Sequence, residues 1–320
     1  MTLDASALIE GRVLDIGGVA LDVRAPDRPR AEAAEHLLAG MRPLEESPAL
    51  RLRWQDAPVA QPARPPDLAV VGLELWHEAD AVIVRHGPLS ALASDGRLLV
   101  GGDAGDSEHP WLDFRRVFEP AITHLLVPFD RYMLHGAAVA RGDAALYITG
   151  DTGRGKSTLA WAAYEAGWSL LADDYVIARP CDGGYEITGL RKPVAVPGEL
   201  FDTPPAGARP LERAGRRRWE FPASILTPGW FRLAAVVFPA HGDATTAEVR
   251  QLNGHDSVVD LLGAFIASGD PRTLRAWFPH AAALSRLPLW ELRHVRSKRT
   301  RLAEAARALD LLLPATSPSR

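Results

Sequence analysis

The sequence predicts an α/β fold in which a β-rich α+β amino-terminal region precedes an α/β domain built around one strand–loop–helix unit. Two observations carry this. An apolar, strand-like run at 144–149 leads into Gly150-Asp151-Thr152-Gly153-Arg154-Gly155-Lys156-Ser157, which fits G-x-x-x-x-G-K-[ST] without a mismatch, and a helical stretch at 158–166 follows. Further along, strand-like and helix-like stretches alternate, whereas residues 1–125 are mostly strand-like. The composition suits such a chain. With 320 residues, 47% hydrophobic and 24% charged, it has an ordinary globular balance and length for about two domains.

Composition also excludes several classes of function. The 36 Lys+Arg against 40 Asp+Glu give a net charge of −4, without the cationic excess of a non-specific nucleic-acid binder, so no nucleic-acid partner is expected. A single cysteine, Cys181, rules out an intramolecular disulfide and a cysteine-rich zinc site. No run approaches the roughly 18 apolar residues of a membrane span, so no membrane partner is expected. The amino terminus lacks the basic-then-apolar pattern of a secretory signal, and a cytoplasmic location is the expectation. Only three of the 36 basic residues are lysines (Lys156, Lys192 and Lys298), so the position of each carries weight.

In the first region, 9–14 and 19–23 read as a hairpin about Gly17-Gly18. Residues 30–41 have helical spacing, with Ala34, Leu37 and Leu38 on one side. The four prolines of 56–66 mark a loop. Strands are expected at 68–75, 81–85 and 98–100, a loop at 101–110 and a helix at 114–126. The second region starts with strands at 133–140 and 144–149, paired as a hairpin by Arg141-Gly142-Asp143. That triplet is read as a turn rather than an adhesion motif. The helix at 158–166 ends before Gly167, a residue suited to a carboxy-terminal cap. A strand at 168–172 runs into Asp173-Asp174, and 175–178 continues extended. Pro, Gly and Arg dominate 191–218, which reads as long loops; 233–238 is a buried strand. Strands at 247–252 and 289–295 and helices at 257–267 and 302–313 complete the domain, the last with Leu302, Ala305, Leu309 and Leu312 on one stripe. The expected division is 1–125, 126–313, and a tail at 314–320.

The glycine-rich loop has the composition of a phosphate cradle. Gly150, Gly153 and Gly155 open backbone conformations closed to other residues, so that the N–H groups of 150–158, with Asp151, Thr152, Arg154 and Thr158 among them, can approach an anion. The helix amino end adds a positive field. Lys156 supplies a mobile charge for the β/γ-phosphates, and the Ser157 hydroxyl is a Mg²⁺ ligand. These point to ATP and Mg²⁺. Asp173 and Asp174 lie at the carboxyl end of a strand, where an open α/β sheet places its ligand crevice. Adjacent side chains on an extended chain point opposite ways, so one carboxylate is expected at the metal and its waters and the other at the acceptor. A paired-Asp turn or a helix cap is the structural alternative. His135 begins the hairpin whose second arm leads into Gly150, which puts it near the phosphates; a packed core histidine is the alternative.

The segments 133–136 (Met-Leu-His-Gly), 148–157 and 171–174 (Leu-Ala-Asp-Asp) resemble, in order and spacing, the catalytic domain of the HPr kinase/phosphorylase family. The nearer likeness is to the HPr-kinase-related proteins, some of which accompany lasso-peptide clusters. The resemblance implies a P-loop kinase domain of the HPr kinase/phosphoenolpyruvate carboxykinase type. It also implies ATP-dependent phosphorylation of a serine on a protein or peptide. By it, Asp173 is the base that takes the serine proton, His135 orients or assists it, and Lys156 and Ser157 hold phosphate and Mg²⁺. Asp174 and Glu199 are the further metal carboxylates. Kinases of this kind often self-associate, so a homo-oligomer stays open. A small-molecule kinase and a non-catalytic ATP-binding regulatory or assembly protein share the same motifs. The run Arg213, Arg216, Arg217, Arg218 is a solvated face or the source of a cation for the transferring group.

Overall fold

A computed structural model describes residues 4–103, 107, 109–213, 215–241, 247–266, 271–294 and 299–313. The chain divides into two compact units, Met1–Tyr132 and Met133–Arg320.

The first unit contains α1 (Ala5–Glu10), β1 (Arg12–Ile16), β2 (Val19–Val23), α2 (Arg28–Leu38), β3 (Leu50–Gln55) and β4 (Leu68–Val70). It continues with β5 (Leu73–His77), β6 (Ala81–His86), β7 (Leu89–Ser94), β8 (Arg97–Gly102) and α3 (Pro110–Leu126). The strands form one mixed sheet, in the order β1-β2-β3-β8-β7-β6-β5-β4, and α3 packs across β6, β7 and β8. The first hairpin arm starts later than its apolar run implies. Asp4 caps a short helix by accepting from Ala7 N, and Gly11, at φ 97°, ends it before β1. The expected strand at 68–75 is two strands, because Val71 and Gly72 both take positive φ (48° and 76°) and turn the chain back on itself. β3 and β7 were not expected. β3 reads Leu-Arg-Leu-Arg, a short alternation with Leu50 and Leu52 buried.

The second unit opens with β9 (Tyr132–His135), β10 (Ala137–Arg141), β11 (Ala144–Ile148), α4 (Lys156–Glu165), β12 (Ser169–Ala172), β13 (Tyr175–Cys181) and β14 (Gly184–Gly189). A second sheet comprises β15 (Val194–Pro197), β16 (Arg209–Arg213) and β17 (Arg216–Phe221). There follow β18 (Phe231–His241), β19 (Glu248–Gln251), α5 (Gly254–Gly263), α6 (Pro271–Leu284), β20 (Leu289–His294) and α7 (Arg299–Asp310). The large sheet runs β12-β10-β11-β18-β14-β13-β9, with β20 and β19 continuing from β18. β11 lies parallel to β18 and antiparallel to β10, so the strand that leads into the glycine loop is interior to the sheet. Leu159 and Trp161 of α4 share a core with Leu146 and Ile148 of β11, with Leu309 of α7 and with Leu312 just beyond it. The expected tail at 314–320 and the side chain of Leu302 lie outside the described residues.

Two expectations for this unit are corrected. Residues 191–218 are not loops throughout. Val194 and Val196 alternate inward on β15, Trp219 and Phe221 do so on β17, and all four join the α4 core. Pro197, Pro210 and the arginines at 209, 213 and 216–218 masked that period-two pattern. The strand expected at 133–140 is interrupted at Gly136. A Cβ there would lie 2.5 Å from the Ile148 carbonyl oxygen and 2.5 Å from the buried Tyr147 ring, so only glycine lets the chain step from β9 to β10. Gly136→Ala is expected to cost about 2–3 kcal/mol, read as a lower urea midpoint; an unchanged midpoint would show that the step tolerates a side chain.

Candidate functional site

The site begins with the turn from β11 into α4. Gly150, Gly153 and Gly155 take φ of 124°, 85° and 99°, a region in which a side chain would be strained. Gly155 is the helix N-cap and offers no side-chain cap, and the first intrahelical bond is Leu159 N to Gly155 O. The N–H groups of Lys156, Ser157 and Thr158 therefore lie ahead of the helical ladder. Asp151, Thr152, Gly153 and Arg154 are exposed, and Arg154 pairs with Asp151 at 3.5 Å. Lys156 is the buried member. Its ammonium donates to the Gly150 carbonyl at 2.6 Å and to that of Asp151 at 3.1 Å, folding the loop around its own charge. Burial lowers its pKa, against the raising pull of Asp174, Asp151 and Asp173. The Ser157 hydroxyl makes no hydrogen bond among the described residues.

His135 ends β9. Its carbonyl accepts from Tyr147 Oη at 2.8 Å and from Thr149 Oγ1 at 3.3 Å, which ties it to the residue immediately before Gly150. Its ring stands 3.3 Å, Nδ1 to Oδ1, from Asp174, and the Asp174 carbonyl accepts from Gly136 N. The other Asp174 oxygen is 3.1 Å from Lys192 Nζ. Asp173 differs. No ion pair closes on it among the described residues, and its Oδ2 accepts from Ala195 N at 3.2 Å. The adjacent carboxylates thus have separate partners.

His135 is therefore tied to the residue before the loop and to Asp174, and both Asp173 and Asp174 pull on the Lys156 charge, whereas Glu199 stands exposed on a short turn at Gly198–Leu200. Among the described residues no three of His, Cys, Asp and Glu gather to hold a metal. A donor set made of the Ser157 hydroxyl with nearby carboxylates still suits Mg²⁺ carried by a nucleotide, because that ion keeps phosphate and water oxygens as most of its ligands. Of the arginine run, Arg217 lies over the Trp219 ring, and Arg218 donates to the Ala195 carbonyl. Ala195 thus offers its N–H to Asp173 and its C=O to Arg218, which keeps that guanidinium within about 10 Å of the carboxylate. Lys192 is the site residue that motif reasoning passed over; the scarcity of lysine was the available signal.

No protein-family model matches this chain, and no curated protein does. Among solved structures, it is distantly similar to the Hpr(Ser) kinase/phosphatase from Coxiella burnetii, at 12% identity and a TM-score of 0.29, over 56% of this chain and 90% of that chain. No helix among the described residues is long and apolar enough to cross a membrane.

Proposed function

We propose that this chain is an ATP-dependent kinase that transfers the γ-phosphoryl group to a serine hydroxyl of a protein or peptide. One observation carries the reading: segments far apart in sequence converge on the glycine loop. Thr149 holds the His135 carbonyl, Asp174 meets the His135 ring, and both carboxylates of the pair act on the Lys156 ammonium. The sequence resemblance of these segments to the HPr kinase/phosphorylase family supports it.

In this reading the loop N–H groups and the amino end of α4 hold the phosphates. Lys156 exchanges its two loop carbonyls for phosphate oxygens. The Ser157 hydroxyl, with phosphate and water oxygens, is the place for Mg²⁺. When bound, that ion neutralises charge on the phosphates. Ala195 N–H fixes Asp173 through Oδ2, and Oδ1 takes the proton of the attacking serine hydroxyl. The new bond joins the serine oxygen to the γ-phosphorus as the bond to the β–γ bridging oxygen breaks and ADP departs. His135 orients the acceptor beside Asp173.

Incubation of the purified chain with γ-labelled ATP and extract of its host, followed by separation by size, tests this. Label is expected in macromolecules, as alkali-labile phosphoserine. Label confined to small molecules would remove the protein or peptide acceptor, and ATP left intact would remove the kinase reading.

A further inference from the structure

We infer that Lys192 is a positioning residue of this site, fixing Asp174 and, through it, the His135 ring for phosphoryl transfer. The inference rests on the kinase reading above and adds a residue and a route of action to it. Lys192 Nζ stands 3.1 Å from Asp174 Oδ2, and His135 Nδ1 3.3 Å from Asp174 Oδ1, so one carboxylate bridges the two side chains. Tyr175 flanks both, its ring 6.0 Å from the Lys192 ammonium and 5.7 Å from the His135 ring. Exposure rises along the series. The Lys192 side chain is 11% exposed, that of Asp174 17% and that of His135 39%. The series is therefore anchored at depth and opens at the member able to meet an acceptor.

The backbone is arranged to put Lys192 there. At Gly189 any Cβ would run into the Leu171 carbonyl oxygen, so glycine lets the end of β14 cross directly over β12, the strand that delivers the Asp pair. Leu190 N then donates to the Tyr175 carbonyl at 3.0 Å, and Lys192 N to that of Leu190 at 2.9 Å. Stability alone does not account for the ion pair, since buried pairs are often no better than apolar residues of equal volume. Geometry does. With both oxygens engaged, the Asp174 carboxylate cannot rotate. Lys192 supplies its counter-charge, which leaves His135 to bind through Nδ1 with Nε2 directed away from the pair. Asp173, held separately by Ala195, stays available as the base.

ADP release from ATP·Mg²⁺, with water as the acceptor, is the measurement, made on the full chain with fluorescent-nucleotide binding in parallel. Lys192→Met is expected to lower kcat about 10- to 100-fold while KM for ATP stays within about two-fold. Lys192→Arg should recover most of the loss, because a guanidinium can still pair with Asp174. If Lys192 acts through Asp174, the Asp174→Asn/Lys192→Met double variant will be no slower than Asp174→Asn alone. The double variant also leaves no buried carboxylate without its counter-charge, so it serves as the folded reference if Lys192→Met is unstable. An undiminished kcat in Lys192→Met, or losses that multiply in the double variant, would overturn the assignment while the kinase reading stands. Wild-type protein that binds nucleotide, releases no ADP and labels no macromolecule of the host extract from γ-labelled ATP would overturn both.

Discussion

Lys156→Ala abolishes nucleotide retention: ATP affinity is expected to fall at least about 100-fold, measured by calorimetry with ATP·Mg²⁺. The ammonium is the one buried charge of the loop and already lies against two loop carbonyls, at 2.6 Å and 3.1 Å, poised to trade them for phosphate oxygens. Lys156→Arg should not restore binding, because a planar fork cannot occupy the pocket of a compact ammonium. The same burial makes the residue a cost to folding. Its pKa in the fold is lowered by burial from the ordinary 10.5. Between the lowered value and 10.5 the unfolded chain binds more protons, so this group's share of stability rises with pH across that window. Lys156→Ala should lack that rise, and its thermal midpoint near neutral pH should be no lower than that of the wild type. Unchanged ATP affinity would mean that the loop does not hold phosphates.

Asp173→Asn is expected to lower phosphoryl transfer by about 100- to 10,000-fold while ATP affinity stays within about three-fold, the range for losing a positioned proton acceptor. The amide is isosteric, and its oxygen can still accept from Ala195 N, so the tie to β15 survives and the loss reports the missing base. Single-turnover transfer from γ-labelled ATP separates the chemical step from binding. A variant that transfers at the wild-type rate would move the base to another group.

The outcome at Asp173 and Asp174 shows how far local reasoning reached. Opposed directions along an extended strand implied different tasks for the two, and they do have different partners, Ala195 N for one and His135 with Lys192 for the other. Which partner each would meet was not legible. Lys192 and Ala195 arrive by way of β14 and β15, and a strand crossing over a neighbouring strand leaves no periodic mark. The traces were the scarcity of lysine and Gly189, whose missing Cβ permits the crossing. The loss of period at 191–218 has a similar origin. Its strands are short and carry proline and exposed arginine, and they are held by α4 rather than by their own propensity.

The sequence by itself determined the strand, the glycine loop and the helix of 144–165, because backbone freedom at three glycines and a glycine cap at 167 are properties of neighbouring residues. It also determined that two carboxylates follow the next strand. Tertiary structure alone decided that His135 closes an outer strand instead of opening the hairpin, that Glu199 stands exposed on a short turn, and that Lys192 takes Asp174. Those outcomes depend on contacts between segments tens of residues apart, where side-chain volume and the pairing of buried charge, rather than local pattern, select the arrangement.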